Sequence, residues 1–260
     1  MIGIIQGRLS PAPKGRLQYF PKKWKDEFSL AKKIGFSFIE FFSERKLNLD
    51  NPIWNKKGLK SLKEKYHNEN LKFYSFVDDY VLKADLDNKL LEYYLKLIKN
   101  LSYLGVKILT IPLYGKNKIN KKNLIKTSAF LEKVSLECKK KKIKLLIESN
   151  ISPKLYFELQ SNIKNKVDFT FDTGNRILLK RNIYSDIISF GKHISHIHIK
   201  DKDILKKNVS LGCGKVNFKK IFEYLNKIKY KGSFTLETNR HNRPIYFAKK
   251  NLNFIKKYLA

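Results

Sequence analysis

The sequence predicts an α/β chain folded as a (β/α)8 TIM barrel, a single domain over residues 1–260. Three observations carry this. Strand-like and helical patterns alternate from end to end in eight units. A length of 260 residues suits one such barrel. Four of the strand-like runs close on a carboxylate or a histidine followed by turn formers, where a barrel of this kind carries its chemistry. A doubly wound open sheet is the competing architecture, but no Gly-rich phosphate fingerprint follows the first strand.

The first strand runs from Ile2 to Gln6, and a Gly- and Pro-rich loop, Gly7 to Pro21, holds Arg8 and Arg16. A helix follows from Trp24 to Ile34, stopped by Gly35. Strand two, Phe38 to Phe41, carries Glu40, and a helix over residues 57–68 leads to strand three, Leu71 to Val77, ending on Asp78-Asp79. Helix three spans residues 85–103 with Leu90, Leu91, Tyr94, Leu95 and Ile98 at helical spacing. Strand four is Val106 to Ile111, and helix four covers residues 121–141. Strand five is Lys144 to Glu148; alternation places Leu146 and Lys144 on the same inward face as Glu148. Pro153 opens the next helix, and strand six runs from Asp168 to Asp172. A helix over 184–190 precedes Ile194-Ser195-His196-Ile197-His198-Ile199-Lys200-Asp201, an alternating run whose polar face carries His196, His198 and Lys200. A longer loop, Lys202 to Val216, contains Leu211-Gly212-Cys213-Gly214. A helix over 218–227, a strand ending at Glu237 and a helix over 244–258 complete the chain.

Hydrophobic residues make up 42% of the chain, enough for a full barrel core. The start, Met1-Ile2-Gly3-Ile4-Ile5-Gln6, is apolar too briefly and lacks the basic leader of a signal peptide, and no apolar run approaches membrane-spanning length. Cys138 and Cys213 make neither a disulfide framework nor a CxxC pair. A reducing cytoplasm is the expected location. The net charge of +32 comes mostly from lysines spread over the predicted helices, with arginine at only seven positions. Base and phosphate readers rely on arginine forks, so the charge reads as solvated surface, with non-specific polyanion binding only at low salt.

The chemistry concentrates at four strand ends. Glu148, Asp172, His198 and Glu237 close strands five, six, seven and eight, which are neighbours around a barrel wall and converge on one point. Three carboxylates packed together would repel without a cation. With one imidazole they form a mostly hard donor set suited to one divalent ion, Mn2+, Mg2+ or Co2+, with Zn2+ also acceptable. Any one of these residues alone would be read as solvated or backbone-bonded; four in register reverse that reading. His196, one layer below, reads as a core histidine that with Thr170 and Thr235 underlies the site. His67, His193 and His241 read as surface or loop residues, and Cys213 lacks a positioned base.

With Ile147-Glu148, Phe171-Asp172-Thr173-Gly174-Asn175, His196-Ile197-His198-Ile199-Lys200-Asp201 and Leu236-Glu237, the chain resembles the xylose-isomerase-like TIM barrels, which include sugar and sugar-phosphate isomerases and epimerases such as the D-tagatose 3-epimerase group. Gln6-Gly7-Arg8-Leu9-Ser10 resembles the opening of a subgroup of sugar isomerases. The resemblance implies one metal on Glu148, Asp172, His198 and Glu237, with the two glutamates as acid and base on opposite faces of a sugar. It implies proton transfer through an enediolate, and a sugar or sugar phosphate as substrate. Gln6, Arg8, Glu40, Asn150, Asn175 and Lys200, at inward strand ends or in the following loops, are the expected substrate contacts, with Arg8 the candidate for a phosphate or carboxylate. Two departures stand out: Asn175 occupies a position where many epimerases carry histidine, and Glu148-Ser149-Asn150-Ile151 lacks the tagatose-epimerase pattern after strand five.

A barrel that binds a sugar or cyclitol without catalysis is the main alternative. The apurinic-site endonuclease branch is disfavoured, since its three zinc ions need more histidines, one at the place of Asn175. No specific nucleic-acid or membrane partner is expected, and the sequence leaves the oligomeric state open, a homo-oligomer included.

Overall fold

The computed structural model describes residues 1–11, 18–240 and 242–259. Residues 12–17, Arg16 among them, and His241 lie outside the described residues.

Eight parallel strands close into a barrel. They are β1 (Ile2–Ile5), β2 (Phe38–Ser43), β3 (Ser75–Asp78), β4 (Ile108–Pro112), β5 (Lys144–Glu148), β6 (Asp168–Asp172), β7 (Ile194–Ile199) and, last in the chain, β10 (Ser233–Leu236). Their order around the wall is β1-β10-β7-β6-β5-β4-β3-β2. The short strands β8 (Asp201–Lys202) and β9 (Asn208–Val209) form an antiparallel pair in the loop after β7. The helices are α1 (Asp26–Ile34), α2 (Lys56–Asn68), α3 (Asn88–Leu104), α4 (Leu124–Lys140), α5 (Pro153–Ser161), α6 (Thr173–Arg176), α7 (Ile183–Phe190), α8 (Phe218–Lys227) and α9 (Pro244–Lys256). No described helix is long and apolar enough to cross a membrane.

The chain packs as two compact units, Met1–Ile39 with Phe169–Ala260, and Glu40–Asp168. In the first, β1 pairs with β10, β10 with β7, and β7 with β6. Arg176 is buried there against the rings of Phe169, Phe171 and Phe190, 5.0–5.2 Å from each centroid, and is ion-paired with Asp186. In the second, β2, β3, β4 and β5 pair in sequence. The rings of Phe41, Tyr66 and Phe73 pack at tilted angles in the same unit, with Tyr66 and Phe73 centroids 4.0 Å apart. β4 is buried along its whole length, as expected of a parallel strand covered on both faces.

Local chemistry explains the element ends. Asp87 caps α3 by accepting from the Leu90 N–H at 2.9 Å. Gly105 ends that helix with φ 79°, a conformation glycine adopts without strain. Ser152 caps α5 just before Pro153.

Two details differ from the pattern reading. The third strand starts at Ser75 rather than Leu71, because Asn70 turns left-handed (φ 49°) and the Leu71 N–H bonds back to Tyr66 O. Those residues are used leaving α2. Residues Lys121–Asn123 form a separate tight turn, reciprocally capped by Asn120 and Asn123, before α4 begins at Leu124. Lys144, at the start of β5, is exposed and lies 3.1 Å from Asp168 Oδ2 at the start of β6.

Candidate metal centre

The site in the first unit is built from the end of β6. Asp172 caps the turn that follows: its Oδ1 accepts from the Asn175 N–H at 2.6 Å and its Oδ2 from Asn175 Nδ2 at 2.9 Å. Between them, Thr173 clamps the backbone after β7. Its Oγ1 donates to Lys200 O at 2.6 Å and accepts from Lys200 N at 3.0 Å. Gly174 leaves room for the lysine stem, since a Cβ there would lie 2.8 Å from Lys200 Cγ. The run Asp172-Thr173-Gly174-Asn175 therefore fixes one carboxylate and one ammonium together.

Sheet register supplies the rest. Asp172 and Thr235 both pair with His198, so the histidine stands between the ends of β6 and β10. Glu237 follows β10 and donates its backbone N–H to Ile199 O at 3.1 Å. One donor atom each from Asp172, His198 and Glu237 lies within 4.8 Å of the others. His198 Nδ1 is 3.2 Å from Glu237 Oε2. One layer below, His196 contacts Ser233 Oγ at 2.6 Å and Thr235 Oγ1 at 3.0 Å, which makes it the core histidine expected.

Lys200 is 6% exposed, with its Nζ 2.9 Å from Asp172 Oδ2 and 2.7 Å from Glu237 Oε1. Gln18 Nε2 donates to the same Glu237 oxygen at 3.2 Å, and its Oε1 accepts from Arg8 Nη2 at 2.8 Å. Arg8 is fixed further by Nε donating to Thr238 O at 2.7 Å. Burial alone would raise the Glu237 pKa, but Lys200, His198 and Arg8 together hold it well below the ordinary carboxylate range. It is ionised at neutral pH. Asp201 does different work: it accepts from the N–H groups of Gly212, Gly214 and Val216 at 2.9–3.1 Å and so shapes the loop after β7. Cys213 on that loop is exposed.

In the second unit Glu148 closes β5, buried, and its Oε1 accepts from Tyr114 OH at 2.9 Å. Glu40 is buried within β2, and Asn150 is half-buried just beyond β5. Gln6 is fully buried at the end of β1, and neither atom of its side-chain amide has a hydrogen-bond partner among the described residues.

The structure thus gathers Arg8, Asp172, Asn175, His198, Lys200 and Glu237. Asn175 spends its amide on Asp172, and Lys200 spends its charge on two carboxylates. Sequence reasoning missed Gln18, which links Arg8 to Glu237, and Tyr114. Neither carries a motif; only the fold brings them to these carboxylates. Two carboxylates and an imidazole, with oxygens and a ring nitrogen turned toward one another, fit a hard divalent ion.

An eight-stranded parallel barrel with a carboxylate and imidazole cluster at its strand ends defines the class: a (β/α)8 barrel with a candidate metal centre. The family model of the xylose isomerase-like TIM barrel matches residues 28–258, and the chain belongs to that family. Among solved structures, D-allulose 3-epimerase from Methylomonas sp. is similar at 17% identity, covering 99% of this chain and 97% of that one with TM-score 0.78. D-psicose 3-epimerase from Clostridium cellulolyticum H10, solved with D-tagatose, is similar at 16% identity, 99% of both chains and TM-score 0.78. The IOLI protein with a bound zinc atom shares 19% identity over 99% of this chain and 98% of that one, TM-score 0.77. No curated protein matches this chain by sequence.

Proposed function

We propose that the chain is a divalent-metal-dependent isomerase or epimerase of a sugar or sugar phosphate. The observation that carries this reading is the donor set of Asp172, His198 and Glu237 within 4.8 Å. Glu148 is the fourth ligand on this reading: the barrel order sets β5 next to β6, and Glu148 closes β5 as Asp172 closes β6. The same fold in enzymes described as 3-epimerases adds support, and a zinc atom in another structure of this fold agrees with a metal. Mn2+ suits the donor chemistry best, with Mg2+, Co2+ or Zn2+ also compatible.

When bound, the dication would act as a Lewis acid for the oxyanion that develops when a proton leaves the carbon beside a carbonyl. The protein's own groups do the rest. Glu237, held ionised by Lys200 and His198, accepts the proton. Glu148 supplies one from the other face, each group contributing about 10²–10⁴-fold. Return to the same carbon yields an epimer through the enediolate, and return to its neighbour yields an aldose–ketose pair. Gln6 offers one donor and one acceptor to sugar hydroxyls.

The test is a panel of sugars, sugar phosphates and cyclitols in D2O with Mn2+, read by NMR for deuterium at carbon. Metal-dependent incorporation is expected in at least one sugar. Metal retention with no exchange in any sugar would replace this reading with a non-catalytic binder.

A further inference from the structure

We propose that Tyr114 is the positioning residue for Glu148: its phenol fixes the carboxylate in the orientation a divalent ion needs, without cancelling the charge that holds the ion. The inference deepens the proposed function and rests on it for Glu148 as a ligand.

The place of Tyr114 is built from the backbone. β4 ends at Pro112, which pairs with Glu148 at the end of β5. One step on, the Leu113 N–H donates to Glu148 O at 2.8 Å, and Ser149 Oγ donates to Leu113 O at 3.2 Å. The chain then turns tightly over Gly115–Asn117. The Asn117 N–H donates to Tyr114 O at 3.0 Å, and Gly115 takes φ 53°, which glycine adopts without strain. Asn117 is buried and ties this turn to the segment after β3, its Nδ2 donating to Val81 O at 2.7 Å and to Ala84 O at 3.0 Å. Tyr114 therefore stands on a ledge fixed at both ends, and its hydroxyl donates to Glu148 Oε1 at 2.9 Å.

The hydroxyl is not what holds the ledge, because the bonds above already do that. What it adds is a constraint on one side chain. The terminal torsion of a glutamate is broad, and a carboxylate that serves as a ligand has to keep its oxygens still. A phenol donating to Oε1 selects one setting of that torsion. The kind of donor matters as well. A neutral O–H leaves the carboxylate charge available to a cation, whereas Lys200 brings a full positive charge of its own to Asp172 and Glu237. Partners of this kind behind a metal ligand are worth about 10–100-fold in metal affinity.

The experiment is calorimetric titration of the full-length, metal-free protein with Mn2+, in a cycle of Tyr114→Phe, Glu148→Ala and the two together. Tyr114→Phe keeps the ring of a half-buried residue and removes only the hydroxyl. It should weaken Mn2+ binding about 10-fold or more. Glu148→Ala should weaken it at least as much. Adding Tyr114→Phe to Glu148→Ala should change nothing further, since no carboxylate is left to position. A merely structural role would instead lower the melting temperature and leave Mn2+ affinity intact. That result overturns the proposal, as does a double variant whose loss is the product of the two single losses. The reading underneath fails separately. Unchanged Mn2+ binding in Glu148→Ala, or no binding by the unaltered protein, removes Glu148 as a ligand and this inference with it. Loss in Glu148→Ala with Tyr114→Phe unchanged keeps the ligand and removes its positioning residue.

Discussion

Two buried carboxylate clusters in this chain look alike in sequence and behave as opposites. Asp172 and Glu237 are met by a lysine ammonium, a histidine and, through Gln18, an arginine. Asp78, at the end of β3, is met by hydroxyls: Tyr94 at 2.6 Å, Tyr93 at 2.8 Å and Ser43. Both clusters are almost wholly buried. Cations keep Glu237 ionised against the pull of burial. At Asp78 burial wins over the hydroxyl hydrogen bonds, and its pKa lies above the ordinary 3.8. Burial and a strand-end position do not by themselves make a site; the kind of partner decides. The first cluster is equipped to stay charged and hold a cation, while the second ties β3 to α3.

The largest effect should come from removing the two glutamates proposed to move the proton. Glu148→Gln and Glu237→Gln keep shape and a ligand oxygen but remove the base. Each should lower turnover by about 10²-fold or more on the active substrate. Full activity in both variants would rule out the two-carboxylate shuttle.

Next is the cation that answers the first cluster. Lys200→Met leaves Asp172 and Glu237 without their ammonium, and breaking a buried pair from one side costs about 3–5 kcal/mol. At about 2–4 °C per kcal/mol for a chain of this size, the metal-free variant should melt roughly 6–20 °C lower. If the proposed dication binds the folded state at the same carboxylates, Mn2+ should raise its melting temperature more than that of the unaltered protein. Differential scanning calorimetry with and without Mn2+ checks this. Equal metal responses would show that Lys200 and the ion do not share these carboxylates.

These contrasts explain what was legible beforehand. Eight strand and helix units could be read because alternation and glycine stops are local signals, as Gly35 and Gly105 show. Glu148, Asp172, His198 and Glu237 could be read because each stands at or near the end of a strand-like run. Lys200 was visible as a polar residue on the right face and as an expected substrate contact, but not as the partner of Asp172 and Glu237. Its pairing depends on Thr173 and Gly174 twenty-six and more residues earlier, which local pattern cannot connect. Gln18 sits in a loop without periodicity, and Tyr114 just past β4, so neither gave a signal. Asp78 was seen as a strand end, but its hydroxyl shell comes from β2 and α3 and appears only once they pack.

A smaller effect belongs to the second cluster. Tyr94→Phe removes the 2.6 Å hydrogen bond to Asp78 Oδ2 and leaves a buried carboxyl oxygen with less company. The cost should be about 1–3 kcal/mol in urea unfolding, with no change in the response to Mn2+. A variant whose loss of stability is recovered by Mn2+ would mean that the two clusters are not separate in kind.

The smallest effect, and the sharpest on the comparison, is the pH dependence of Asp78. Its folded pKa is raised by burial, partly offset by Ser43, Tyr94 and Tyr93. Below the ordinary value of 3.8 both folded and unfolded chains hold the proton, and the group's full contribution to stability is present. As pH rises past that value the unfolded chain releases the proton while the folded chain keeps it, so unfolding becomes easier. The loss is complete once pH passes the raised folded value. Asp78→Asn cannot titrate and has no such slope. The stability of Asp78→Asn minus that of the unaltered protein should therefore grow in favour of the variant as pH rises from 3.8, then level off. Urea unfolding across that range measures the difference directly. A depressed carboxylate such as Glu237 has the opposite sign, with stability lost as pH falls, so a difference curve that slopes the other way would place Asp78 with the cation-held cluster instead of apart from it.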